Sequence, residues 1–163
     1  MRTFSEIKTR FPYQFSEKNI GLDIANGWLP MFERLCHDID NALGVDKHGF
    51  HWVQLKEKFG SARFYWKMSG VQKSMAIDLI GPDGNVLSFR NKPKAKLDDK
   101  QLVQKIDDLI STAESKTANM CIVCGDEGKP DNMDYYTLVV CEKHRRARHA
   151  GEELDIWPGE DQQ

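Results

Sequence analysis

Four residues near the carboxy terminus have the types and spacing of a metal centre: Cys121 and Cys124, then Cys141 and His144. Two residues separate the members of each pair, and sixteen lie between Cys124 and Cys141. A two-residue gap lets both donors of a pair face one point about 2.3 Å away, while turn amides donate to the thiolates. Gly125 suits the positive φ of such a knuckle. Three thiolates and an imidazole complete a tetrahedral set with no position left for a catalytic water, so the spacing predicts one structural Zn2+. His149, at a longer gap, is a second candidate for the fourth ligand. A redox pair would need a thioredoxin-like βαβ setting, which does not precede it. Cys36, beside Leu35 in a helical pattern, reads as a metal-free core thiol.

The elements that position these donors follow from periodicity. TLVVC is strand-like and HRRARHA is helix-permissive, so Cys141 and His144 belong where a strand runs into a helix. Upstream, Trp28, Met31, Phe32, Leu35, Ile39 and Leu43 recur at spacings of three and four, which predicts a helix over about 28–43. Pro30 suits its first turn and Gly44 its stop. FPYQF (11–15) is an aromatic cluster that packs its rings on the main body. Hairpins are predicted over about 50–67, turning at KEKFGS, and over about 75–90, turning at GPDG through Pro82 and Gly84. A basic, proline-containing linker (90–96) precedes a helix capped by Asp98 or Asp99, with Leu102, Ile106, Leu109, Ile110 and Ala113 on its apolar face.

These elements predict an α+β fold: an antiparallel sheet of β-hairpins, two packing helices, and a small C-terminal treble-clef or zinc-ribbon-like module. The expected organisation is a body over 1–97, a connecting helix over 98–118, and the zinc module with an acidic tail over 119–163. That last stretch has few aliphatic residues, so the metal is expected to supply its folding free energy.

Composition sets limits on function. The 163-residue chain is 40% hydrophobic and 29% charged, with a net charge of -2 and a pI near 6.2, so it is no general polycation. No apolar run of membrane-spanning length and no secretory leader is present, and four cysteines in such a chain point to a reducing compartment, so a cytoplasmic protein is expected. No phosphate loop, nucleophile elbow or HExxH occurs. His37 with Asp40, and His48 with His51, read as surface groups rather than a catalytic constellation. His149 with Glu152 is the one pair that a metal-dependent nuclease could use.

Basic residues cluster in three places. Lys56, Lys58, Arg63 and Lys67 ornament the first hairpin, with Phe59, Phe64, Tyr65 and Trp66 interleaved. Arg90, Lys92, Lys94 and Lys96 crowd the linker, and Arg145, Arg146 and Arg148 follow the last ligand. Through Ala118 the chain has 18 basic against 15 acidic residues, and after it 5 against 10. A nucleic-acid footprint would therefore use Lys56, Lys58, Arg63, Arg90 and Lys92, whereas strand alternation predicts a solvated face with the aromatics turned inward. The KEKFG tip reads equally well as a contact surface or as a turn whose Glu57 pairs locally and whose Phe59 folds back.

GWLPMFERLCHDI, VQLKEKFGSARFYW, TAES before CIVCG, and TLVVCEKH together resemble a family of small uncharacterised bacterial and phage (prophage) zinc-binding proteins. The resemblance covers most of the chain in order, and KEKFG is its most specific piece. This sequence departs from the pattern by extra residues between Trp66 and about Leu97, GPDG among them. The resemblance implies a phage or prophage origin, the same zinc ligands and no particular chemistry. The function expected is that of a non-enzymatic, zinc-stabilised protein contacting a host or phage protein, with a nucleic-acid accessory factor as the alternative.

Overall fold

The amino-terminal aromatic cluster is held in place by a capped helix. In this computed structural model, which describes residues 3–19, 21–71, 76–81, 86–90, 99–133 and 135–159, α1 spans Phe4–Arg10. Thr3 Oγ1 accepts the Glu6 N–H and Glu6 Oε2 accepts the Thr3 N–H, a reciprocal cap. A 3-10 turn at Pro12–Phe15 then brings Phe15 against Phe4 and Phe32. Gln14 is fully buried, and its amide is satisfied on both sides: Nε2 donates to the Cys36 carbonyl at 2.9 Å, and Oε1 accepts Trp52 Nε1–H at 3.1 Å.

Strand β1 (Gly21–Leu22) and a 3-10 turn (Asn26–Trp28) lead into α2 (Leu29–Leu43). The expected stripe of α2 is buried, and Cys36 with it. Gly44 ends the helix at φ 66°. Strands β2 (His51–Lys58) and β3 (Ser61–Lys67) form the predicted hairpin. Their register shifts between Trp52 and Gln54, a bulge at Val53 that turns both Trp52 and Leu55 into the core. Strict alternation would put those two residues, three apart, on opposite faces. Phe64 and Trp66 point inward, as alternation requires.

The sheet arrangement differs from the expected single antiparallel one. Strand β1 pairs with β2 in parallel, because α2 is the crossover between them and returns the chain in the same direction. The second hairpin, β4 (Ala76–Ile80) and β5 (Val86–Arg90), forms its own two-stranded sheet. Its turn residues Pro82 and Gly84, and linker residues Lys92, Lys94 and Lys96, lie outside the described residues.

Helix α3 (Lys100–Thr117) buries Val103, Ile106, Ile110 and Ala113 against α2 and β3, with Leu102 and Leu109 only partly covered. Asp99 occupies the cap position without a side-chain cap bond, and Asp98 lies outside the described residues. The last turns of α3 close the open edge of β3. Glu114 Oε1 accepts the Phe64 N–H at 2.6 Å, and Thr117 Oγ1 accepts the Ala62 N–H at 2.8 Å.

The chain ends with β6 (Lys129–Met133), β7 (Tyr136–Val140) and α4 (Glu142–His149), followed by a segment that turns back so that Asn26 N–H donates to the Ile156 carbonyl. This stretch is not a separate layer. Cys121, Ile122, Leu138 and Val140 belong to the same hydrophobic core as Trp28, Phe32 and Phe64. Among the described residues the fold is thus α+β, with four α-helices and small sheets, and none of these helices is long and apolar enough to cross a membrane.

Candidate metal centre

Each pair of donors is placed by a different local device. Cys121 and Cys124 lie on a turn closed by the Gly125 N–H donating to the Cys121 carbonyl at 2.9 Å, with Gly125 at φ 81°. Strand β7 delivers Cys141 to the cap position of α4, and His144 follows within its first turn. The β7 segment is locked to the knuckle, since the Ile122 N–H donates to the Val139 carbonyl at 2.8 Å.

The four donor atoms lie within 4.8 Å of one another. His144 Nδ1 stands 3.4 Å from Cys121 Sγ and 3.2 Å from Cys141 Sγ, and the Cys124 and Cys141 sulfurs are 3.8 Å apart. Donors at tetrahedral corners around an ion with zinc's bond lengths stand about 3.5–3.8 Å apart, so this cage has the size of one such ion. A disulfide would need sulfurs about 2.05 Å apart, and the thiols are free.

The electrostatics suit a cation. Burial pushes the Cys124 thiol up to about 12, a cost that a bound cation removes by taking the thiolate. Cys141 is also desolvated, yet it is held below its ordinary value by the His144 N–H, the Cys124 and Cys121 thiols and the Lys143 N–H. The amino-terminal end of α4 points the same way, because its free N–H groups favour negative sulfur.

No family model, curated protein or solved structure matches the chain.

His149 lies outside the cage. Its Nε2 meets Asp131 Oδ1 at 3.0 Å, and the other oxygen of Asp131 takes Arg148 Nη1 at 2.9 Å. Arg148 also donates to the carbonyls of Asp131, Met133 and Tyr136, clamping α4 to the β6–β7 hairpin. That clamp engages both Arg148 and His149. The remaining histidines are engaged locally. His37 Nδ1 meets Asn41 at 3.1 Å and its neighbour Asp38 at 3.6 Å, whereas Asp40 takes Lys47 and Tyr13 instead. His51 Nδ1 meets the Gly49 carbonyl, and His48 lies beside Asp46.

Sequence reasoning missed the residues that seat the knuckle. A Cβ at Gly27 would stand 2.2 Å from the Cys121 carbonyl oxygen and 2.7 Å from the Gly125 nitrogen, so only glycine admits the knuckle here. The Gly27 N–H donates to the Ile122 carbonyl, and Trp28 is fully buried beneath, its Nε1 reaching the Met120 carbonyl at 3.5 Å. The KEKFG tip serves the same end. Phe59 and Gly60 make a two-residue turn with φ of 53° and 77°, the pattern of a type I′ hairpin. Gly60 abuts Val139, and Glu57 joins the turn to Tyr136. Phe59 stays 38% exposed beside Lys58 rather than folding into the core. The signals were visible as GW and KEKFG, but neither points along the chain to its partner.

Among the basic candidates, Lys56 stands opposite Arg63 and Lys58 opposite Ser61 in the hairpin register. Lys56 lies over the Tyr65 ring at 5.1 Å, and Arg63 donates to Ser61 and the Ala62 carbonyl. Arg90 contributes backbone to β5, and Lys92 lies outside the described residues.

Proposed function

We propose that this is a non-enzymatic, zinc-stabilised binding protein of phage or prophage type that works in the bacterial or phage-infected cytoplasm and contacts an acidic surface of a host or phage protein. The knuckle, the β6–β7 hairpin and the ligand pair opening α4 follow the order of a treble-clef unit, and the cage size favours zinc. The ion fills a closed donor set and has a structural role.

One observation carries the binding reading. The register of β2 and β3 gathers Lys56, Lys58, Arg63 and Lys67 on the sheet face opposite the buried Leu55, Phe64 and Trp66, and Tyr65 lies among them. A one-sided cationic face steers and orients an acidic partner. Immobilised wild-type protein is expected to retain an acidic protein stoichiometrically from uninfected or infected lysate, and Lys56→Glu with Arg63→Glu to lose it. Equal capture by the variant, or no capture, refutes the proposed face.

A second reading, in which the partner is single-stranded nucleic acid stacked on Tyr65, requires Lys56 to leave the ring it covers at 5.1 Å. The two separate by salt titration. A nucleic acid gives a log–log slope close to the number of phosphates contacted, and absence of any shift at low salt removes this reading.

A further inference from the structure

The β4–β5 hairpin shows an apolar face to solvent. Ile77 pairs with Phe89 and Leu79 with Leu87, and alternation puts all four on one side. Their exposures are 56%, 56%, 53% and 62%, and Ile80 at the strand end is 60% exposed. Apart from each other, the two strands make no extensive contact with another described element. Both are edges of a two-stranded sheet, which standing alone in water is marginal. The intervening positions carry Asp78, Ser88 and Arg90 beside Ala76, Ile80 and Val86, so the side with Ile77 and Leu79 is the uniformly apolar one of the two.

We infer that the Ile77, Leu79, Leu87 and Phe89 face is covered by the same face of a second copy of this chain. Three features select this occupant. The face has only hydrocarbon side chains, so it offers no charge to orient a polar partner, yet it complements itself. Cross-strand pairing repeats an apolar pair at two successive levels, so a two-fold axis through the face stacks one ribbon on the other as two layers about 10 Å apart. The half-exposed side chains offer on the order of 500 Å2 per copy, the size of the largest apolar patch a monomer ordinarily shows and one that is often functional. Two copies thus cover about 1,000 Å2, the lower bound for a specific interface. This surface is distinct from the cationic sheet face, and the two readings fail independently.

Sedimentation equilibrium of the intact zinc-loaded protein across micromolar concentrations tests the inference. Wild type is expected to reach twice the monomer mass. Leu79→Lys is expected to remain monomeric, since a lysine on this face would be desolvated without a partner. Because a lysine could also disturb the hairpin, Leu79→Thr with Leu87→Thr is the second variant; threonine keeps strand propensity and removes apolar area. It is expected to raise the dimer dissociation constant roughly 100-fold or more. A wild-type monomer throughout, or a dimer that the threonine pair leaves unchanged, overturns the inference.

Discussion

Glu57 and Tyr136, far apart in sequence, meet where the first hairpin touches the C-terminal one. The Tyr136 hydroxyl donates to Glu57 Oε2 at 2.9 Å, while Glu57 Oε1 accepts the Gly60 N–H at 2.6 Å. One carboxylate therefore locks a strained turn and ties it to the strand that delivers Cys141. Glu57→Gln is expected to lower unfolding free energy by about 1–2 kcal/mol, and Tyr136→Phe by about 1 kcal/mol. The double variant should lose less than the sum, because both changes remove the same bond. Chemical denaturation of the four proteins measures the coupling, and strict additivity would deny it.

The same pair sets an alkaline limit. Burial, and then the neighbouring Glu57 carboxylate, raise the Tyr136 hydroxyl from 10.0 to about 12. The folded state then holds its proton more tightly than the unfolded state does. The resulting stabilisation is complete below pH 10 and is lost as pH climbs towards 12. Melting temperature should fall across that window, and Tyr136→Phe should flatten this part of the fall. An identical alkaline profile in both proteins would contradict the assignment.

Metal removal is expected to release α4 ahead of the rest. This eight-residue helix buries no side chain. Glu142, held below its usual range by Arg146 and Arg145, adds only surface pairing. A helix this short does not persist unaided, so the proposed ion at its start would act with the Arg148 clamp at its end to keep it folded. Hydrogen exchange after chelation should show lost protection over Glu142–His149 while Ile122 and Leu138–Val140, rooted in the common core, stay protected. Collapse of protection throughout the body would show that the metal holds the whole core. One equivalent of zinc is expected in the loaded protein.

Two substitutions probe the seat of the knuckle. Gly27→Ala puts a methyl group against backbone that has no freedom to retreat, and is expected to cost about 3 kcal/mol or more and to weaken metal retention. Arg148→Ala leaves the nearly buried Asp131 with only His149 and frees three carbonyls, with an expected loss of about 3 kcal/mol. Thermal denaturation with zinc analysis reads both. A stable, fully loaded Gly27→Ala protein would rule out the close approach.

What the sequence by itself determined was what local order controls. The stripe of α2 follows from a 3.6-residue period, the two hairpins from a period of two broken by turn residues, and the four donors from fixed gaps. Such patterns are set by neighbours along the chain, and they were legible without any tertiary knowledge. The tertiary structure alone decided who meets whom. Parallel pairing of β1 with β2, the bulge that turns Trp52 inward, Thr117 and Glu114 on the β3 edge, and the Asp131 clamp all join distant residues. So do the two motifs that seat the metal centre: Gly27 on the knuckle and Glu57 on Tyr136. Each of these partners was selected by close packing and by the need to satisfy buried polar groups. No spacing along the chain records that choice.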